Sequence, residues 1–83
     1  MYNEMKEMFV RRMANYIREA KINAEEYKKT NDAFYEKSER DCDILFNENK
    51  DIASKIFGGE IAFEIQIEAR KRATEYPEYD IEA

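Results

Sequence analysis

The stretch YNEMKEMFVRRMANYIREAKINAEEY, residues 2–27, decides the fold of this 83-residue chain. Its apolar side chains recur every three or four residues, at Tyr2, Met5, Phe9, Met13, Tyr16, Ala20, Ala24 and Tyr27. Because an α-helix has about 3.6 residues per turn, this spacing puts them all along one side of a single helix. A stripe of about seven turns needs a second helix to cover it, in the same chain or in another copy. The pattern therefore predicts an all-α protein.

Two breaks divide the rest of the chain. Thr30-Asn31-Asp32 consists of residue types that cap helix N-termini, so we predict a first helix over about 2–29 and a second from Asp32 or Ala33 to about Phe57. A continuous helix through this junction is the alternative, because the junction contains no glycine or proline. Gly58-Gly59 is predicted to end the second helix, since glycine readily takes the positive φ angles of a C-cap.

Residues 60–68 allow two interpretations. Ile61, Phe63, Ile65 and Ile67 alternate as in a β-strand, whereas Ala62, Ile65, Ala69 and Ala73 follow helical spacing. An isolated two-stranded hairpin is marginally stable, so we predict a third helix that Pro77 ends. The predicted architecture is a long antiparallel helical hairpin plus a shorter third helix, a single domain over residues 1–76 that a second copy could extend to a dimeric bundle. Residues 77–83 form an acidic tail.

The composition argues against several classes of function. The chain has 19 acidic and 14 basic residues, no histidine, one cysteine and a net charge of −5. An acidic balance disfavours direct binding of nucleic acid, whose phosphates attract an excess of positive charge. No stretch of about 18 apolar residues is present, so we expect no membrane span. With acids in place of the basic start of a signal peptide and a single thiol, we expect a cytoplasmic protein.

The residues for catalysis or metal binding are also missing. Without histidine the commonest general base is absent. Cys42 lies between Asp41 and Asp43, which should raise its thiol pKa and make it a poor nucleophile. We interpret it as a small half-buried residue. The acid pairs Glu36 with Glu39 and Glu48 with Asp51 are interpreted as solvated helix surface. We therefore expect no enzyme, no metal site and no cofactor.

The acidic surface suggests a protein partner. An array of negative charge beside tyrosines can occupy a basic groove and compete with nucleic acid for it, and tyrosine is a favoured interface anchor. The predicted partner-binding residues are Tyr35, Glu36, Glu39, Asp43, Tyr76, Glu78, Tyr79 and Asp80. We also expect a homo-oligomer, whose predicted self-association residues are Tyr2, Met5, Phe9, Met13 and Tyr16.

The first hypothesis is therefore a non-enzymatic protein-binding module that inhibits a nucleic-acid-handling complex of a host. A short acidic helical chain without catalytic residues resembles, in type only, small viral proteins that block host enzymes or immune nucleases, which would place it in the cytoplasm of a bacterial host. Two alternatives stay open. One is a structural homo-oligomer. The other is an oligomeric protein that sequesters a small phosphorylated ligand, with four arginines as donors: Arg11, Arg12, Arg70 and Arg72.

Overall fold

The computed structural model describes residues 2–76 and contains three helices. Helix α1 spans Tyr2–Thr30, α2 spans Ala33–Phe57 and α3 spans Gly59–Glu75. Each helix packs against the other two, and the predicted all-α class is confirmed. The predicted tail residues Glu78, Tyr79 and Asp80 lie outside the described part of the chain.

The turn between α1 and α2 forms where the capping residues predict it. Asn31 has a φ of 56°, and its backbone N–H donates to the Tyr27 carbonyl at 2.7 Å. Asp32 is extended, and its carboxylate accepts a hydrogen bond of 2.9 Å from the Phe34 backbone N–H. An aspartate in this position satisfies one of the free N–H groups at a helix start. The chain therefore reverses here, and the alternative of one continuous helix is wrong.

A single residue separates α2 from α3. Gly58 has φ 90° and ψ 160°, a backbone conformation that is almost restricted to glycine. Its N–H donates to the Ser54 carbonyl at 2.9 Å, and its own carbonyl accepts from the Ala62 N–H at 3.0 Å. Gly58 thus closes one helix and opens the next. Residues 60–68 are helical, as we predicted.

The hydrophobic core is thin. Met13 of α1 and Ile65 of α3 are the only large side chains described with an exposure below 2%. Half of the core cluster is alanine, which lets the helices approach closely but buries little apolar surface. The cluster consists of Phe9, Val10, Met13, Ala14, Phe46, Ala53, Ala62, Ile65, Ala69 and Ala73. The ring of Phe9 packs edge-to-face on Phe57, with centroids 6.0 Å apart.

Helix α2 carries more apolar residues than the bundle covers. Of its apolar residues, Cys42, Phe46 and Ala53 are buried and Phe57 is half-buried. Four others are exposed along a second side of the helix: Phe34, Leu45, Ile52 and Ile56. Their spacing of 11, 7 and 4 residues places them on one line, because 11 residues make about three turns. We call these four residues the outer line of α2.

The hairpin of α1 and α2 is longer than α3. Helices α2 and α3 meet at the turn at Gly58. Arg40 of α2 and Tyr76 at the end of α3 are the same number of residues away from this glycine. Since all α-helices rise by about 1.5 Å per residue, α3 ends at about the level of Arg40. The first turns of α2 therefore have no third helix beside them.

Candidate protein-binding surface

Three predicted partner-binding acids lie on one side of α2, and we call them the acidic strip. Glu36, Glu39 and Asp43 are three and four residues apart, so their side chains share one face of the helix. Glu36 and Asp43 are exposed, and Glu39 is half-buried. Asp43 borders a groove together with Arg70 of α3, while Glu36 lies on the first turns of α2 that α3 does not reach.

Little positive charge compensates the acidic strip within the chain. The Arg40 guanidinium lies 3.9 Å from the Glu36 carboxylate, and the two side chains are 70% and 48% exposed. An exposed ion pair of this kind contributes at most about 1 kcal/mol. No ion pair of Glu39 or Asp43 is found among residues 2–76. The strip therefore presents its negative charge to the solvent.

Two aromatic rings lie on the first turn of α2, ahead of the acidic strip in the chain, and Phe34 is on the opposite side of the helix from the strip. Phe34 and Tyr35 form an edge-to-face pair with centroids 5.4 Å apart. Phe34 is 65% exposed, whereas Tyr35 is half-buried. The sequence-based prediction for this surface included Tyr35 but not Phe34. Its place two residues after the N-cap, ahead of a mostly polar half-helix, was the signal that could have identified it as an exposed ring.

Tyr76 is fixed at the end of α3 by Arg18. The Arg18 Nε donates to the Tyr76 carbonyl at 2.7 Å, and a second guanidinium nitrogen donates to the Arg72 carbonyl at 3.3 Å. The third donates to Asn15 Oδ1 at 2.7 Å. Although Arg18 is only 4% exposed, its charge is balanced by carbonyls at a helix C-terminus, where the helix dipole is negative. The Tyr76 residue itself is 65% exposed, so it is accessible at the level where the acidic strip lies.

The four arginines of the ligand-sequestering alternative are engaged in different places. Arg72 forms a two-pronged ion pair with Glu7 of α1, and Arg11 lies 3.5 Å from the same carboxylate. Arg70 instead lies on the side of α3 that faces α2, 5.1 Å above the Phe46 ring. Arg12 is exposed on α1. The structure brings Arg11 and Arg72 together around Glu7, but it does not bring all four arginines to one anion site.

Glu7 is a residue that sequence reasoning missed. The hydrogen bond from Arg72 lowers the pKa of Glu7, and the positive charges of Arg72 and Arg11 lower it further, against an opposing effect of burial. This contact joins the start of α1 to the end of α3. Its members are far apart in sequence and on different helices, so no local pattern indicates the pair.

Cys42 is buried, with an exposure of 5%. Its Sγ accepts a weak contact of 4.0 Å from the Asn23 side-chain amide. Burial is the main cause that raises the pKa of the thiol, followed by the negative charges of Glu19, Asp43 and Asp41. The predicted direction is therefore confirmed, although burial and Glu19 were not among the predicted causes. A buried, protonated thiol is a poor nucleophile.

The predicted self-association residues are divided between the core and the surface. Phe9 and Met13 are 3% and 0% exposed inside the bundle, Tyr16 is half-buried and Met5 is 38% exposed. Self-association through this stripe stays a prediction, but three of its five residues, Phe9, Met13 and Tyr16, already pack within the single chain. Tyr2 is the first residue of α1.

Two further features of residues 2–76 bear on the class of protein. No three acidic or thiol side chains in this range are close enough to hold a metal ion together. None of the three helices has the length and hydropathy to cross a membrane. The fold and surface define a small three-helix bundle with an exposed acidic strip. Comparison with protein-family models, curated proteins and solved structures found no match, so we argue the function from the surface itself.

Proposed function

We propose that this chain is a non-enzymatic protein-binding module that inhibits a nucleic-acid-handling host complex by occupying its basic surface. The observation that carries the proposal is the acidic strip, which lies on an exposed side of α2 and partly beyond the end of α3. A helix face of this kind can enter a groove, because α3 does not reach the first turns of α2.

The charge pattern suggests the chemistry of the partner. Glu36, Glu39 and Asp43 form a line of negative charges along about 10 Å of helix, at about 1.5 Å per residue. A groove that binds nucleic acid is lined with Lys and Arg that track a line of phosphates. The acidic strip offers that groove the same sign of charge in a similar linear arrangement. Such complementarity mainly increases the association rate and the specificity.

The aromatic residues can supply the binding energy that the charged residues do not. Exposed ion pairs contribute little affinity, because water solvates both charges well before they meet. Most binding energy comes from a few buried anchors, among which aromatic residues are enriched. Phe34 exposes 65% of its surface in the free protein, so it can supply such an anchor to a partner that also reaches around the N-terminal end of α2. We therefore expect affinity from Phe34 and Tyr35, and orientation from the acids.

The proposal is tested with a charge-reversed variant. In Glu36→Lys/Glu39→Lys/Asp43→Lys the acidic strip becomes basic, while Glu25→Lys/Glu48→Lys/Asp51→Lys is the matched control with the same change at three exposed acids elsewhere. Tagged proteins are incubated with lysate of a bacterial host at about 0.1 and about 1 M salt, where the Debye length is about 10 and 3 Å. We expect a partner that the control retains, and that both the strip variant and high salt release.

A second measurement separates inhibition from binding alone. The captured partner is purified, and its complex with labelled nucleic acid is titrated with wild-type protein and with both variants. We expect the wild type and the control to displace the nucleic acid and the strip variant to lose this ability by at least about tenfold, a change of about 1.4 kcal/mol. Equal displacement by all three proteins, with unchanged helical circular dichroism, would refute the proposal.

A further inference from the structure

The side of α3 that faces away from the core carries four residues in a line. Glu60, Phe63, Ile67 and Lys71 are spaced by 3, 4 and 4 residues, so they follow one face of the helix. Ala62, Ile65 and Ala69 face the opposite way, into the core. We call these four residues the outer line of α3. Their strand-like alternation with the core residues thus reflects two apolar faces of one helix.

The outer line of α3 combines exposed apolar surface with unpaired charge. Phe63 is 61% exposed and Ile67 is 49% exposed, in adjacent turns. Glu60 precedes them and Lys71 follows them, both exposed, and neither has an ion-pair partner within residues 2–76. Single exposed apolar residues are normal on protein surfaces, but an adjacent pair with opposite charges at its two ends is a more specific arrangement.

We propose that the outer line of α3 binds a second copy of this chain in antiparallel orientation. Read in the opposite direction, the line has Lys71 first and Glu60 last, with Ile67 before Phe63. When two copies meet about a two-fold axis, Phe63 packs on Ile67 of the partner subunit. At each end, Glu60 lies opposite Lys71 of the partner subunit. One patch thereby complements itself, as a two-fold interface requires.

Charge selects this orientation over the alternatives. In a parallel pairing of α3, Glu60 and Lys71 would each meet their own copy, and like charges in contact are unfavourable. The antiparallel pairing replaces both repulsions by attractions, and its one like-charge contact is Glu64, an exposed acid beside the two-fold axis that meets its own copy. Because the dimer is two-fold symmetric, it contains the Phe63–Ile67 contact twice and the Glu60–Lys71 contact twice.

The outer line of α2 is less suited to the same role. It is also nearly symmetric, because Phe34 and Ile56 are equally far from Leu45. An antiparallel pairing about Leu45, however, would bring Lys37 close to Lys55 of the partner subunit. It would also bring Asp41 close to Glu48 of the partner subunit. The apolar pattern alone allows both dimers, and the charges favour the one through α3.

The dimer is expected to be weak, because α3 has only 17 residues and contributes two large apolar side chains per copy. One such helix pair buries less than the roughly 1,200–2,000 Å² of a standard stable interface. We therefore expect a dissociation constant on the order of 10–100 µM.

The first test compares two phenylalanines. Wild type, Phe63→Ser and the matched control Phe34→Ser are studied by sedimentation equilibrium from about 1 µM to about 1 mM, a range that brackets the expected constant. Both rings are mostly exposed, at 61% and 65%, so circular dichroism should show both variants folded. We expect Phe63→Ser to weaken the dimer by at least about tenfold, and Phe34→Ser to change it by less than about threefold.

The second test exchanges the charges. Glu60→Lys and Lys71→Glu each create a repulsion at both ends of the interface, so each should weaken the dimer by about tenfold. The double variant Glu60→Lys/Lys71→Glu restores opposite charges and should return the dissociation constant to within about threefold of the wild type. A wild-type monomer at about 1 mM, equal effects of the two phenylalanine variants, or no rescue in the double variant would each overturn the proposal.

Discussion

At the residue scale, the two glycines at the second turn have different tasks. Gly58 has a φ of 90° and ψ of 160°, where a side chain clashes with its own backbone. Gly59 is the first residue of α3 and does not have a positive φ. Apart from the adjoining backbone, a Cβ at either position would meet no atom of the described chain within 4 Å. Any difference between alanine substitutions therefore comes from the backbone rather than from a clash with neighbours.

We expect Gly58→Ala to lower the free energy of unfolding by about 1–3 kcal/mol, the typical cost of forcing such a conformation on an alanine. Gly59→Ala is the matched control and should change it by less than about 1 kcal/mol in the stabilising direction, because alanine restricts the unfolded chain. Urea unfolding followed by circular dichroism measures both. Equal effects of the two substitutions would contradict the conformation that the structure gives Gly58.

The turns could be predicted from the sequence because their causes are local. Asp32 caps α2 through a bond to a residue two positions away, and Gly58 is required by its own backbone angles. Arg18 could not be predicted in this way. Its partners Tyr76 and Arg72 follow it by more than fifty residues, and a buried arginine becomes favourable only once α3 has brought its last carbonyls there.

At the element scale, the periodicity of α2 predicts a helix but not which of its sides is covered. The buried side contains Cys42, Phe46 and Ala53, whereas Leu45 and Ile52 on the outer line are exposed. Both sides have helical spacing, and the number of neighbouring helices decides between them. A three-helix bundle can cover about one side of each helix, so an amphipathic pattern with two apolar sides leaves one of them to solvent or to a partner.

The contact between α1 and α3 makes stability depend on pH. Because Arg72 and Arg11 lower the pKa of Glu7 in the folded protein, the ionised carboxylate stabilises the fold. This contribution is complete above the pKa of an unfolded glutamate, about 4.3. It is lost as the pH falls through the lower folded pKa. The Glu7 side chain is 39% exposed, so solvent screening limits the effect to about 1 kcal/mol or less.

We therefore expect Glu7→Gln to be less stable than the wild type at pH 6, and the difference to shrink as the pH falls towards about 3. Urea unfolding of both proteins across this range measures the difference. Glu4→Gln makes the same change at an exposed residue of α1 that has no ion pair in the described chain, so it should leave stability nearly unchanged at each pH. A constant difference between Glu7→Gln and the wild type would contradict this account.

At the scale of the whole molecule, the chain buries few large side chains and exposes many. Met13 and Ile65 are fully buried, while Phe34, Phe63 and Tyr76 are each more than half exposed. The sequence predicts the helices and their order, because hydrophobic spacing and caps determine both. It does not predict that α3 is shorter than the hairpin and leaves part of the acidic strip uncovered, because that depends on where α3 ends against α2.

We expect the apolar stripe of α1 to stabilise the bundle of the single chain rather than an assembly. Substitutions of two methionines in that stripe can test this. Met13 is 0% exposed in the core and Met5 is 38% exposed. Met13→Ala should lower the free energy of unfolding by about 2–5 kcal/mol through lost burial and a cavity. Met13→Leu, which keeps the volume, should cost less than about 1.5 kcal/mol.

Met5→Ala is the matched control and should cost clearly less than Met13→Ala, since water already reaches the side chain. Thermal unfolding at several protein concentrations tests whether a second copy also uses the stripe, because association through it would make the midpoint rise with concentration and make Met5→Ala reduce that rise. If α1 serves mainly its own bundle, the loss in Met13→Ala will be independent of concentration. An effect of Met5→Ala as large as that of Met13→Ala would instead show that the stripe stabilises an assembly rather than the single chain.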